Sequence, residues 1–358
     1  MRSIYHTILE QIRSGTGIVI ATVVRTAGST PQKPGSSALF CEHGLLAGTV
    51  GGGLLESEVQ HIAESVMISR VSDHFYFNLD SGQGAAGAIC GGEAEVLVDA
   101  DPSIHLAALE EMENTLSRRQ DGFLLTGVSQ KHDQGRTIRR YWINRTGPED
   151  LPAGLEPAFK KLIRDHLKQA LRYRYTEIDL KANPLHQVEM AFLEHIKPMP
   201  HLVIAGGGHI GKALAHLGML LEFEVTVMDD RSEFASSDHI PDADHLVVKE
   251  IGEALNELKP DADTFIVIVT RGHTHDGKAL RACIGSDAAF IGMIGSTHKV
   301  GIMKNQFLDK GWATPEQWSA IHTPIGLPIG SKTVQEIAIS IAAQLVEVRN
   351  RKEESHGK

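Results

Sequence analysis

Cysteine is scarce in this chain: there are three in 358 residues, Cys41, Cys90 and Cys283, widely separated. So few thiols so far apart exclude the disulfide framework of a secreted domain, and a reducing compartment, the cytoplasm, is expected. Long apolar runs are also missing. No uninterrupted stretch approaches the ~20 residues that a membrane-crossing helix requires. The N-terminal string MRSIYHTILEQIRSG is amphipathic and contains Glu10, unlike a secretory signal. Positive charge is in deficit, with 35 Lys and Arg against 45 Asp and Glu and a formal charge of −10. Each phosphate contact needs a basic side chain nearby, so neither nucleic acid nor a membrane is expected as partner. The cluster Arg136, Arg139 and Arg140 reads as a short solvated face. Repeats and low-complexity tracts are absent.

What is present suits two domains or three by length, and a hydrophobic fraction of 42% is enough for a sizeable core. Ile4, Ile8 and Ile12 have helical spacing and Gly15 is a stop. A β-branched run at 18–24 leads into a turn-rich stretch that includes Gly28, Pro31, Pro34 and Gly35. Strands at 37–41 and 45–50 form a hairpin. After Gly51, Gly52 and Gly53 a helix begins, striped by Leu55, Val59, Ile62 and Val66. Strands follow at 75–79 and 94–98, separated by a glycine-rich loop at 80–92. The pattern weakens over 104–195, where it predicts a helix at 104–119, strands at 123–129 and 137–143, and helices at 156–172 and 184–196.

Pro198 and Pro200 bracket a boundary. Beyond it strands at 201–205, 224–228, 245–248, 264–269 and 289–294 alternate with helical segments, which predicts a parallel sheet with right-handed crossovers. A final helix spans 333–348. The fold class is therefore α/β at the C-terminus, with domains expected at 1–197 and 198–350 and a polar tail at 351–358.

The string HLVIAGGGHIGKALAHLGMLLEFEVTVMDD holds Gly206, Gly208 and Gly211 as GxGxxG between a buried strand and a helix. Asp229 ends the next strand, 18 residues after Gly211. Context and spacing fit a dinucleotide fingerprint. Gly206 permits the tight turn, Gly208 lets a pyrophosphate approach the backbone, and Gly211 lets helix and strand close up. The helix N-terminus favours an anion, and Asp229 is positioned to accept from a ribose. Ligands of such sheets lie where strand order reverses, so Thr270, His273, Asp276 and Ser296 are expected to line the same crevice. The string HTHD also invites a metal site at His273 and His275; a polar cleft wall is the plainer reading.

In the N-terminal half, Gly51, Gly52 and Gly53 form either a second anion cradle or simply a tight turn. Arg25 is either a fixed charge beside a phosphate or a surface residue. Cys90 lies among small residues, just before Gly91 and Gly92, where a thiol can act as a nucleophile or a soft ligand. Cys41 and Cys283 read as buried small hydrophobes.

Several strings together resemble one family: ATVVRTAGSTPQKPGSSAL (21–39), AGTVGGGLLESEV (47–59), ICGGEAEVLVD (89–99), LVIAGGGHIGKALA (202–215), VTVMDDR (225–231), FIGMIGS (290–296) and PIGLPIGSKTVQEIAISIAAQL (324–345). The chain is similar to the xanthine dehydrogenase accessory proteins of XdhC/CoxI type; residues 104–195 match none of its motifs. The resemblance implies an N-terminal α+β XdhC/CoxI-type domain, a C-terminal Rossmann domain and a homodimer. It implies a chaperone that binds molybdopterin-type molybdenum cofactor while a cysteine desulfurase installs its sulfur, then delivers it to a molybdenum hydroxylase. Many relatives carry Cys after the glycine triplet where this chain has Leu54, which leaves Cys90 as the motif cysteine to contact molybdenum or its sulfur. On this reading Gly51–Gly53 and the 206–211 turn hold phosphates, and the Rossmann site takes a pterin nucleotide or NAD(P). The alternative is an NAD(P)-dependent oxidoreductase with His273 or Asp276 as acid and base.

Overall fold

The computed structural model describes residues 4–79, 92–130, 135–145, 157–180 and 188–356. The chain divides into two compact units, Arg2–Pro198 and Met199–Lys358.

The first unit is built from two antiparallel sheets and their helices. α1 (Ile4–Arg13) leads into β1 (Val19–Gly28), β2 (Ser37–Cys41) and β3 (Gly44–Gly48), then α2 (Gly53–Ser69), β4 (Asp73–Asn78) and β5 (Gly92–Asp99). These strands form one sheet in the order β3-β2-β1-β5-β4. A 3₁₀ turn (Pro102–His105) and α3 (Leu106–Ser117) connect to β6 (Gly122–Gln130) and β7 (Arg136–Asn144); α4 (Pro157–Tyr173), β8 (Tyr175–Glu177) and β9 (Met190–Ile196) complete the second sheet, β7-β6-β9-β8.

Strand alternation sorts the cores. Val19, Ala21 and Val23 face the α2 stripe of Leu55, Val59, Ala63 and Val66. Ile18 and Ile20 face α1, α3 and, from the second sheet, Leu124, Trp142 and Ile196. α4 covers that sheet's far side through Ile163 and Ala170. The expected helix at 184–196 is corrected: Met190–Ile196 is a strand, paired to β6 on one edge and β8 on the other. It is buried almost throughout, and a short continuous apolar run does not distinguish a buried strand from a buried helix.

Among the described residues, ion pairs link the two sheets. Arg25 of β1 pairs with Glu177 of β8, Arg140 of β7 with Asp99 of β5, and Arg136 of β7 lies 3.9 Å from Asp73 of β4. Arg140 is only 8% exposed, so the expected solvated basic face is wrong at that residue. Burial alone would raise the Asp99 carboxyl, but Arg140 and the His105 ring outweigh it and hold it at about 2.

The second unit is a Rossmann-type sheet of five parallel strands: β10 (His201–Ala205), β11 (Glu224–Asp229), β12 (His245–Val248), β13 (Thr264–Ile268) and β14 (Phe290–Met293), in the order β12-β11-β10-β13-β14. α5 (His209–Leu220) and α10 (Val334–His356) cover one face, where Leu202 and Ile204 meet Leu214, Ile341 and Leu345. α6 (Ile251–Glu257), α7 (His273–Cys283), α8 (Thr297–Asp309) and α9 (Pro315–Ser319) cover the other, where Val203 and Ala205 meet Leu255, Leu280 and Phe307. α10 runs to His356, so most of the expected polar tail is helical. Among the described residues no helix is long and apolar enough to cross a membrane.

Candidate cofactor-binding site

Strand order reverses between β10 and β13, and the two turns at that point lie side by side. Gly206 leaves β10 with φ 120°, and its amide donates to the Met228 carbonyl at 2.8 Å. A Cβ there would lie 2.6 Å from the Val269 carbonyl oxygen and 3.1 Å from Thr270 Cα. Only glycine lets the two turns approach this closely. A Cβ on Gly211 would run into the Gly206 carbonyl, so this glycine lets α5 seat against the turn. Gly208 is different. It is the N-cap of α5 at φ −66°, offers no side chain to the first-turn amides, and has open space where a Cβ would stand. Those outward-facing amides at a helix N-terminus are the chemistry that holds a phosphate, and the open space is where one fits.

Beyond Thr270 the crevice deepens into a cavity of about 300 Å³ lined by Thr270, Asp276, Met293, Ser296, Lys299 and Met303. Thr270, Asp276 and Ser296 thus share one crevice. His273 begins α7. The Thr270 hydroxyl donates to Asp276 Oδ1 at 2.6 Å. Asp276 is 7% exposed, and burial pushes its carboxyl above the ordinary carboxylate range despite Thr270 and Lys299.

The other flank is occupied by protein groups. Asp229 is 2% exposed and accepts from the Gly207 amide at 2.9 Å and from Arg231 Nε and Nη2 at 2.9 and 3.0 Å. Burial would raise this carboxyl, but Arg231 and the two amides hold it low. Its hydrogen bonds therefore run inward, to Arg231 and the turn, where the fingerprint leads one to expect a ribose. The Arg231 guanidinium lies 3.5 Å from the Phe234 ring centroid. A Cβ on Gly207 would sit 2.5 Å from the Phe234 carbonyl, and the His239 ring meets the Gly207 carbonyl at 3.0 Å. Segment 231–240 therefore packs down on the glycine turn. Sequence reasoning missed Gly207, Arg231 and Phe234, and the only available signal was the third consecutive glycine.

In the first unit Gly51, Gly52 and Gly53 all have positive φ, at 132°, 68° and 57°. Gly52 caps α2 without a side chain, and a Cβ on Gly52 or Gly53 would meet nothing. The turn is braced by Glu56, which accepts from the Thr49 hydroxyl at 2.6 Å and from the Val50 amide at 3.3 Å. Arg25 is held between Glu95 and Glu177, which neutralise its charge. The enclosed cavity among Tyr5, Arg140, Tyr175 and Glu194 is about 20 Å³, room for roughly one water and no cofactor. Cys90 lies outside the described residues. Cys41 and Cys283 are buried; burial pushes the Cys283 thiol up to about 12. Among the described residues no group of three His, Cys, Asp or Glu side chains converges on a metal position.

Comparison with known proteins agrees with this architecture. The XdhC and CoxI family model matches residues 11–77 and the XdhC Rossmann domain model matches 202–345. The chain is 24% identical to a probable xanthine dehydrogenase subunit of Bacillus subtilis, over 97% of this chain and 98% of that one. It is 35% identical to YqeB of Escherichia coli over 42% of this chain, a match that spans 28% of that protein. A crystal structure of a xanthine dehydrogenase from Bacillus halodurans shares the fold with a TM-score of 0.75 at 23% identity, covering 97% of this chain and 96% of the other. Each unit thus matches one of these models, the first an XdhC and CoxI family segment and the second an XdhC Rossmann domain.

Proposed function

We propose that this protein is a maturation factor for a molybdenum hydroxylase of the xanthine dehydrogenase type. It binds a molybdopterin-type cofactor, accepts it with a cysteine desulfurase as supplier of sulfur, and hands it to the client enzyme. It acts as a homodimer in the cytoplasm. The observation that carries this reading is the α5 turn: an uncapped helix N-terminus with open space at Gly208, beside a cavity of about 300 Å³. Such a turn suits a phosphate-bearing group. The Gly208 turn would hold that phosphate and Asp276 the body of the ligand. The open turn at Gly52 and Gly53 offers a second place for an anion, and Cys90 is proposed to meet the metal end. Molybdenum chemistry itself belongs to the cofactor and is used by the client; this chain binds and orients the group.

Purified protein is expected to carry molybdenum by elemental analysis and to bind the released cofactor in titration. Absence of both overturns the reading. A Cys90→Ser variant is expected to bind the cofactor more weakly, and unchanged affinity would remove the thiol from the site. The rival, an NAD(P)-dependent oxidoreductase with His273 or Asp276 as acid and base, is disfavoured because the ribose acceptor, Asp229, is bound to Arg231. A substrate-dependent change in nicotinamide absorbance would restore it.

A further inference from the structure

Two consecutive acids at the end of β11 are tied to two arginines in a chain of alternating charge. Arg231 Nε and Nη2 hold Asp229 at 2.9 and 3.0 Å. Arg231 Nε also lies 3.9 Å from Asp230, and Arg271 Nη2 donates to Asp230 Oδ2 at 3.1 Å. The last link crosses the sheet. Asp230 follows β11 and Arg271 comes just after β13, while β10 lies between those strands and pairs with both. Neighbouring strands are about 4.8 Å apart, so the Asp230–Arg271 pair bridges strands about 10 Å apart, across the end of β10 where the glycine turn begins.

The members of this chain are not held equally. Asp229 is 2% exposed and is fixed by Arg231 and two amides. Asp230 and Arg271 keep 34% and 55% of their side-chain surface, and an exposed ion pair of this kind is cheap to open. Arg271 follows Thr270, whose Cα would lie 3.1 Å from a Cβ on Gly206, and precedes Gly272, at φ 96° with open space around it. It therefore stands beside the glycine turn, next to a residue that leaves the backbone free to re-aim it. A guanidinium that makes one bond to Asp230 can make two to a phosphate. Asp230, once released, has Arg231 close by to turn to.

We infer that Asp230 is an autoinhibitory residue: its carboxylate engages Arg271 across the mouth of the glycine turn, and an arriving anion must displace it to gain the arginine. The inference rests on the reading of the α5 turn as an anion site and adds to it a competitor carried by the chain itself. A neutral molecule offers Arg271 nothing in exchange and leaves the strap closed.

The test is calorimetric titration of the full chain with inorganic pyrophosphate at fixed ionic strength. Asp230→Asn is expected to tighten binding three- to fivefold, and Arg271→Gln to weaken it at least fivefold. In the Arg271→Gln background the gain from Asp230→Asn is expected to shrink below 1.5-fold, because no arginine is left to release. Glu233→Gln removes the same charge three residues on, at an exposed position, and is expected to change affinity less than 1.5-fold. An equal gain from Asp230→Asn with and without Arg271, or a matching gain from Glu233→Gln, is a general charge effect and overturns the inference. Wild-type protein that binds pyrophosphate with an affinity indifferent to Asp230→Asn loses the strap and keeps the anion site. If neither the wild type nor Asp230→Asn binds pyrophosphate, the anion site falls and the strap falls with it.

Discussion

Two glycines three residues apart in the α5 turn do opposite jobs. On Gly211 a methyl group collides with the Gly206 carbonyl, a backbone atom that cannot swing away. Gly211→Ala is therefore expected to destabilise the Rossmann unit by about 3 kcal/mol, as overpacking typically does, measured by urea denaturation. On Gly208 the methyl enters open space at an ordinary φ. Gly208→Ala should change stability by less than about 0.5 kcal/mol, since the weaker cap and the stiffer unfolded chain offset each other. It should nonetheless reduce pyrophosphate affinity at least tenfold, because the methyl occupies the place of the anion. The fingerprint was legible in sequence because its demands are local, lying within a few residues of one strand and one helix. The closing of Asp229 was not. Arg231 is two residues away, and nothing in the string DDR tells whether that arginine turns toward solvent or back onto the carboxylate.

Among the elements, the two N-terminal sheets are joined by polar links as well as by Val24, Leu97, Val128 and Phe192. The Arg140–Asp99 pair is the most buried of these links. The folded-state pKa of Asp99, about 2, lies below its ordinary value, so the pair contributes stability above about pH 4 and loses it as pH falls toward 2. The neutral His105 ring, held low by burial, adds to the loss in acid. Glu194 has the opposite slope, because burial raises its carboxyl even with Tyr5 donating at 2.5 Å. Asp99→Asn leaves Arg140 buried without its counter-charge and is expected to cost roughly 3–5 kcal/mol at pH 7. It should also flatten acid unfolding between pH 4 and 2, which circular dichroism would follow. The strand that carries Arg140 was legible from its alternation; the partner that buries it was not, because Asp99 lies on the other sheet. For a related reason β9 reads as a helix in the sequence, since both of its faces are buried, Ala191 and Leu193 in one core and Met190 and Phe192 in another, so its seven residues show no period of two.

At the scale of the whole molecule, every core cluster draws its residues from a single unit. Unfolding is therefore expected in two steps by calorimetry, one lowered by Gly211→Ala and the other by Asp99→Asn. Pyrophosphate at one hundred times its Kd should raise only the step that Gly211→Ala lowers, by about 2.7 kcal/mol if the unfolded chain does not bind it; an equal rise in both steps would place the ligand elsewhere. Chain order alone located the crevice, since the reversal of strands brings Thr270, Asp276 and Ser296 together whatever their identities. The inward turn of Asp229 has consequences beyond the fold. Pyridine coenzymes are common in cells and fit ordinary grooves of this kind. On the maturation reading proposed above, a groove whose ribose acceptor is already engaged by Arg231 need not outbid them by tightness, so a scarce guest can be held loosely enough to be passed on.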